Sequence, residues 1–187
     1  MAEEIERARA TLARELEFDL VVGGINVGSQ RGVSDFARAR LALVWREVAL
    51  VTGAAFGPGL PGGEFVYDST PACLAVETVR ALTGEAPFEF VRCLQRRFFV
   101  DGADVTTWPV LAETVADLGI DVTAFGRLWQ TPDIRDRVAA GFLTAKSYGT
   151  AAMPSVLLDE NGTRRLVVGG YVDAPTLIAT LRGLVSA

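Results

Sequence analysis

Ile5, Ala8, Leu12 and Leu16 recur at helical spacing among Glu and Arg residues, which predicts an amphipathic opening helix over about 3–16. Residues 18–22 read as a short buried strand ended by Gly23-Gly24. Ser34 is placed to cap a second helix, with Ala37, Leu41, Val44, Val48 and Val51 as its inner stripe and Trp45 beside them. Gly53 ends that helix, and the glycines and prolines of 56–63 predict a loop. Thr70-Pro71 starts a helix to about 82, and Thr83-Gly84 turns the chain into another through 99. Further helices are predicted over 108–118, after the capping Asp121, and from Thr131-Pro132-Asp133 through 147. Beyond Met153-Pro154 the period changes to two. The runs 155–159 and 164–168 flank Asn161-Gly162, a type I′ hairpin signal. Gly169-Gly170-Tyr171 breaks the second run, and Asp173 caps a final helix with Leu177, Ile178, Leu181 and Val185 inward. The order is helix, strand, helical block, hairpin, helix, with no internal repeat.

Composition narrows what such an order can do. The chain has 187 residues, half of them apolar and 22% charged, which fits one domain or one domain carrying an insertion. A net charge of −5 and a single lysine, Lys146, leave no footprint for nucleic acid. There is no histidine, which excludes Ser-His-Asp and Cys-His catalysis and the zincin helix together. The charged stretch 1–17 has no apolar core of a secretory signal, and no apolar run approaches the ~20 residues of a membrane helix. The expectation is a cytoplasmic protein that contacts neither membrane nor nucleic acid.

The remaining polar signals are weak. Gly23-Gly24-Ile25-Asn26-Val27-Gly28 has the wrong glycine spacing for a dinucleotide fingerprint. Lys146-Ser147 lacks the glycine of a phosphate loop. Asp101, Asp104, Glu113 and Asp117 read as a solvated face rather than a metal site. Cys73 and Cys93 are too few for a disulfide framework and are expected to be buried, inert thiols.

Without its helical block the order reduces to αβ–ββα. That is the thioredoxin motif lacking its first strand. Ala151-Ala152-Met153-Pro154-Ser155-Val156-Leu157-Leu158, then Asn161-Gly162, then Gly169-Gly170-Tyr171, resemble the cis-proline loop, hairpin and closing Gly-Tyr of the DsbA-like family. Leu20-Val21-Val22-Gly23-Gly24-Ile25 resembles that family's second strand and its glycine-rich exit. The resemblance is closest to the branch of FrnE-like disulfide isomerases, with 2-hydroxychromene-2-carboxylate isomerase and kappa-class glutathione transferase as relatives. It implies an α/β, thioredoxin-like fold over 1–33 and 148–187, with an inserted all-helical subdomain over 34–147 and the first β-strand missing. It also implies a cis Met153–Pro154 bond, although X–Pro bonds are cis in only ~5–6% of cases. A ligand cleft would then be bordered by Ala152, Met153, Pro154, Gly24, Ile25 and Asn26, with the residue before the proline pairing with an extended substrate. Met153 would offer a soft apolar wall there.

The same resemblance implies a Cys-x-x-Cys or a serine at the start of the first helix, and this sequence has neither. No catalytic residue is therefore assigned. The reading is a thiol–disulfide oxidoreductase or isomerase family protein, redox-inactive as the sequence stands. The alternatives are a non-catalytic thioredoxin-fold binding module and a glutathione-dependent isomerase or transferase. The implied partners are a peptide or protein thiol/disulfide client, or a small thiol such as glutathione as co-substrate. Three explanations of the missing strand stay open: a start assigned too late, a degenerate binding form, and a strand supplied by a partner subunit. An incomplete sheet would lower stability or favour a homodimer that covers its open edges.

Overall fold

The computed structural model describes residues 1–149 and 152–185. The elements in chain order are α1 (Ala2–Leu12), α2 (Asp35–Thr52), α3 (Thr70–Thr83), α4 (Phe88–Phe99), α5 (Trp108–Asp117), α6 (Val122–Leu128), α7 (Pro132–Ser147), β1 (Ser155–Glu160), β2 (Thr163–Gly169) and α8 (Ala174–Val185). Their ends follow local chemistry. The Ser34 hydroxyl accepts the Ala37 N–H at the start of α2, and Asp121 accepts from Thr123 and Ala124 at the start of α6. Gly53 and Gly84 close α2 and α3 in the left-handed conformation.

The chain divides into two compact units, 1–19 with 143–187 and 20–142. In the first unit, β1 and β2 form an antiparallel hairpin with a bulge between Val156 and Leu157. Asn161 and Gly162 both take positive φ, as a type I′ turn requires. Asp159 ties the turn, accepting from the Gly162 N–H at 2.8 Å and from Arg164 at 2.7 Å. Ala8 and Leu12 of α1 pack on Leu177 and Leu181 of α8, with Val156, Val167 and Val168 of the hairpin against them. The outer rim is a Glu15–Arg182 ion pair at 2.7 Å.

The second unit is helical. Ala75, Val76 and Val79 of α3, Phe90 and Leu94 of α4, Leu111 and Val115 of α5 and Phe125 of α6 make its main core. Glycine is required where Gly57 meets α4: a Cβ there would stand 1.7 Å from the Val100 carbonyl oxygen. An aromatic cluster joins Trp45 of α2 to Phe56, Phe98 and Phe99, with ring centroids 5.4–6.0 Å apart.

Two expectations from the sequence are corrected. Residues 18–22 form no strand, because no neighbouring strand pairs with them among the described residues. Their hydrogen-bonding goes elsewhere: the Leu20 carbonyl accepts from the Arg80 guanidinium. Side chains still alternate, with Phe18 in the core of the first unit and Leu20 and Val22 in that of the second. The segment 20–33 is bound to the helical unit through Ile25–Ser69, Gly28–Asp68 and Val33–Phe65 hydrogen bonds. The second correction concerns α2. Trp45 is its buried residue, whereas Val44, Val48 and Val51 of the expected inner stripe are exposed. Large aromatic area at Trp45 outweighs the narrower valines, so the helix docks by a face turned about 80° from the centre of that stripe, with Ala37 and Leu41 half-buried at its edge.

Candidate functional site

Ala152, Met153 and Pro154 stand in the first unit, immediately before β1; Ala151 lies outside the described residues. The Met153–Pro154 peptide is cis. The Pro154 carbonyl accepts the Gly170 N–H at 2.9 Å, which joins the start of β1 to the end of β2. The Ser155 hydroxyl donates to the Ala152 carbonyl at 2.7 Å and holds the bend from the other side. Met153 is half exposed, at 52%, and among the described residues its main chain makes no hydrogen bond.

The first turn of α1 reaches the same end of that unit. Glu4 accepts the Ala174 N–H at 2.7 Å, placing an α1 carboxylate at the N-terminus of α8, where its charge is favoured. Only Tyr171, Val172 and Asp173 lie between Gly170 and Ala174, a reach of at most about 14 Å. The cis peptide, the exposed Tyr171 and Glu4 of α1 therefore all lie near the end of the hairpin where β1 starts and β2 ends.

Gly24, Ile25 and Asn26 belong to the second unit. Gly24 has φ +67°, and a Cβ would lie 2.7 Å from Val27 and 2.9 Å from Phe142, so no other residue fits. The Ile25 N–H donates to the Ser69 hydroxyl at 2.6 Å, and the Ser69 N–H donates back to the Ile25 carbonyl at 3.1 Å. That clamp leaves the Ile25 side chain partly exposed. Asn26, also at positive φ, lines an open cavity of about 520 Å³ with Arg31, Ser34, Leu41 and Tyr67. Burial pushes the Tyr67 phenol above its ordinary pKa, so it is a neutral hydrogen-bonding group there. Arg31 and Tyr67 were not singled out from the sequence. Arg31 is the only charged residue between Leu20 and Ser34, and that isolation is the signal available.

Neither cysteine is bonded to another. Cys73, in the first turn of α3, donates its S–H to the Ser69 hydroxyl at 3.9 Å. Burial pushes its pKa up to about 11, against the lowering by Ser69 and by the Gly24 backbone. Such a thiol is a poor nucleophile at neutral pH. Of the carboxylates considered above, Glu113 and Asp117 flank the Arg97 guanidinium at 2.8 and 2.6 Å, and Asp104 accepts from Thr106.

The architecture has solved counterparts. A Nitrosomonas europaea protein, provisionally assigned as a protein disulfide isomerase, superposes with a TM-score of 0.88 at 27% identity, over 99% of this chain and 89% of its own. The chain has the DsbA-like thioredoxin fold. The cytosolic disulfide reductase DsbM of Pseudomonas aeruginosa is similar to this chain at 22% identity and a TM-score of 0.74, covering 98% of this chain and 94% of its own. DsbM with glutathione gives a TM-score of 0.72 over comparable spans. No family model and no curated protein matches this chain. None of its described helices is long and apolar enough to cross a membrane.

Proposed function

We propose that this chain is a thiol-ligand docking member of the disulfide isomerase and reductase group, nearest its FrnE-like branch, and that its own cysteines exchange no disulfides. The observation that carries the reading is a near full-length likeness to a disulfide isomerase-like protein in a chain whose two cysteines stand 20 positions apart on separate helices. A dithiol exchange centre needs an accessible, low-pKa thiolate with a resolving partner beside it. Cys73 is raised to about 11, the wrong direction for that work.

The ligand would lie along Met153. Its half-exposed thioether side chain supplies adaptable apolar contact. Its N–H and C=O, which bond to nothing among the described residues, would add a short extended segment by main-chain bonding. Cysteine-containing peptides and glutathione share that extended, thiol-bearing backbone, and the glutathione complex of DsbM supports the small-thiol case. A reducing cytoplasm is the compartment this chemistry suits, as in the cytosolic DsbM.

Calorimetric titration with glutathione disulfide and with a cysteine peptide, alongside an insulin-reduction assay, tests the reading. Saturable binding without insulin turnover is expected. Met153→Asp should weaken binding about tenfold by placing a charge in the apolar contact. Catalysed insulin reduction would refute the absence of exchange, and no binding of either ligand would refute the docking role.

A further inference from the structure

The outer face of α2 carries a pattern that neither the fold nor the proposed ligand site uses. Phe36, Leu43 and Leu50 are spaced by seven, and Ala37, Val44 and Val51 follow them by one. Phe36 is 79% exposed, Leu50 87% and Val51 75%, with Leu43 and Val44 at 58% and 42%. At 3.6 residues per turn these positions fall within an arc of about 140°, away from the buried Trp45. Only two charges interrupt the arc, Arg40 and Glu47. Both are exposed, and neither has an ion-pair partner among the described residues. An exposed apolar face of this extent, broken only by one pair of opposite charges, marks an interaction site.

The sequence of this face says which partner it fits. Phe36 and Val51, Ala37 and Leu50, Arg40 and Glu47, and Leu43 and Val44 are four pairs, each symmetric about the midpoint between Leu43 and Val44. An antiparallel copy of the helix, turned about a two-fold axis at that midpoint, therefore meets apolar residues with apolar residues. It also sets Arg40 against Glu47 twice. This self-complementarity is what a closed two-fold interface demands, residue i meeting j while j meets i. A parallel, in-register pairing would instead set Arg40 on Arg40 and Glu47 on Glu47, with like charges facing in a desolvated seam.

We propose that the protein forms a homodimer through antiparallel self-association of α2, with Leu43 and Val44 on the two-fold axis and two Arg40–Glu47 ion pairs flanking it. The helix, 18 residues and so about 27 Å long, is long enough for all four symmetric pairs to engage together.

Sedimentation equilibrium of the full chain, over a dilution series into the low micromolar range, reads the association. The wild type is expected to be dimeric. Arg40→Glu faces Glu with Glu at both flanks and should weaken the dimer at least about tenfold. The double variant Arg40→Glu/Glu47→Arg restores opposite charges and should return association to near the wild-type value. Leu43→Asp should give a monomer, with unchanged far-ultraviolet circular dichroism because the site is exposed. A monomeric wild type overturns the proposal, whatever else occupies the face. A dimer indifferent to Leu43→Asp and Arg40→Glu places the interface elsewhere and also overturns it. A dimer lost in Arg40→Glu but not recovered in the double variant overturns the antiparallel register.

Discussion

Cys73 shows how two environments compete over one thiol. Its place in the first turn of α3 exposes it to the positive end of the helix, an effect of at most about 1–2 kcal/mol. Removal from water acts the other way and prevails, lifting the pKa to about 11 from 9.0. In the unfolded chain the thiol ionises first, so between pH 9 and pH 11 the folded state holds a proton that the unfolded state has lost. The stabilisation is complete below pH 9, declines as pH rises through the window, and amounts to about 2 to 3 kcal/mol. Tyr67, also raised by burial, adds a slope of the same sign above pH 10. Urea titrations of the wild type and Cys73→Ala at pH 8.5 and pH 10.5 separate the two groups. The wild type should lose more stability across that interval than the variant, and equal losses would contradict a desolvated Cys73. Desolvation of Cys73 was legible in the sequence from cysteine's usual burial, but the side of α3 that turns inward was not. Gly57 was similarly hidden: it looked like one loop glycine among four, and only the approach of Val100 distinguishes it.

Elements with strong local signals are legible to within a residue or two. The Asn161-Gly162 turn, the caps at Ser34, Asp121 and Asp173 and the prolines at the starts of α3 and α7 all act where the sequence puts them. Failure came where an element depends on a neighbour. Residues 18–22 alternate correctly, yet a strand exists only with a paired strand beside it, and alternation cannot supply one. For α2 the periodicity is real, but two apolar sides compete, and local pattern does not say which one the rest of the protein covers. Trp45 decides it by stacking on Phe56 at 5.5 Å and meeting Phe99 edge-on at 5.4 Å. Arg38 then fixes the start of the helix through the carbonyls of Pro61 and Gly63 at 2.6 and 3.0 Å. Trp45→Ala should therefore cost about 3–5 kcal/mol in denaturant unfolding, the range for emptying a buried aromatic site. Val51→Ala, at a position 75% exposed, should change the unfolding of dilute protein by less than about 0.5 kcal/mol. Equal costs for the two variants would restore the valine stripe as the inner face.

At the scale of the molecule, the order of elements was enough to suggest a thioredoxin-like frame, because an Asn-Gly hairpin followed by a capped helix is a strong local pattern. The division between the units rests on where the residues of 20–33 send their hydrogen bonds. The hydrophobic clusters make that division physical. Ala8, Leu12, Leu177 and Leu181 form a core built from both ends of the described chain. The clusters centred on Phe90 and Phe125, on Trp45 and Phe98, and on Ile134 and Val138 draw every member from 20–142. A continuous segment that contains all partners of its own core has what it needs to fold in isolation, whereas the first unit requires residues more than a hundred positions apart. A fragment of residues 20–142 should therefore show a helical circular dichroism spectrum and a cooperative urea transition without the rest of the chain. Residues 143–187 alone, deprived of Ala8 and Leu12, should show neither the cooperativity nor the protected amides of a packed hairpin. A fragment 20–142 that unfolds gradually, without a sigmoidal transition, would mean that the helical unit depends on the other for its stability. The cluster boundaries would then not be folding boundaries.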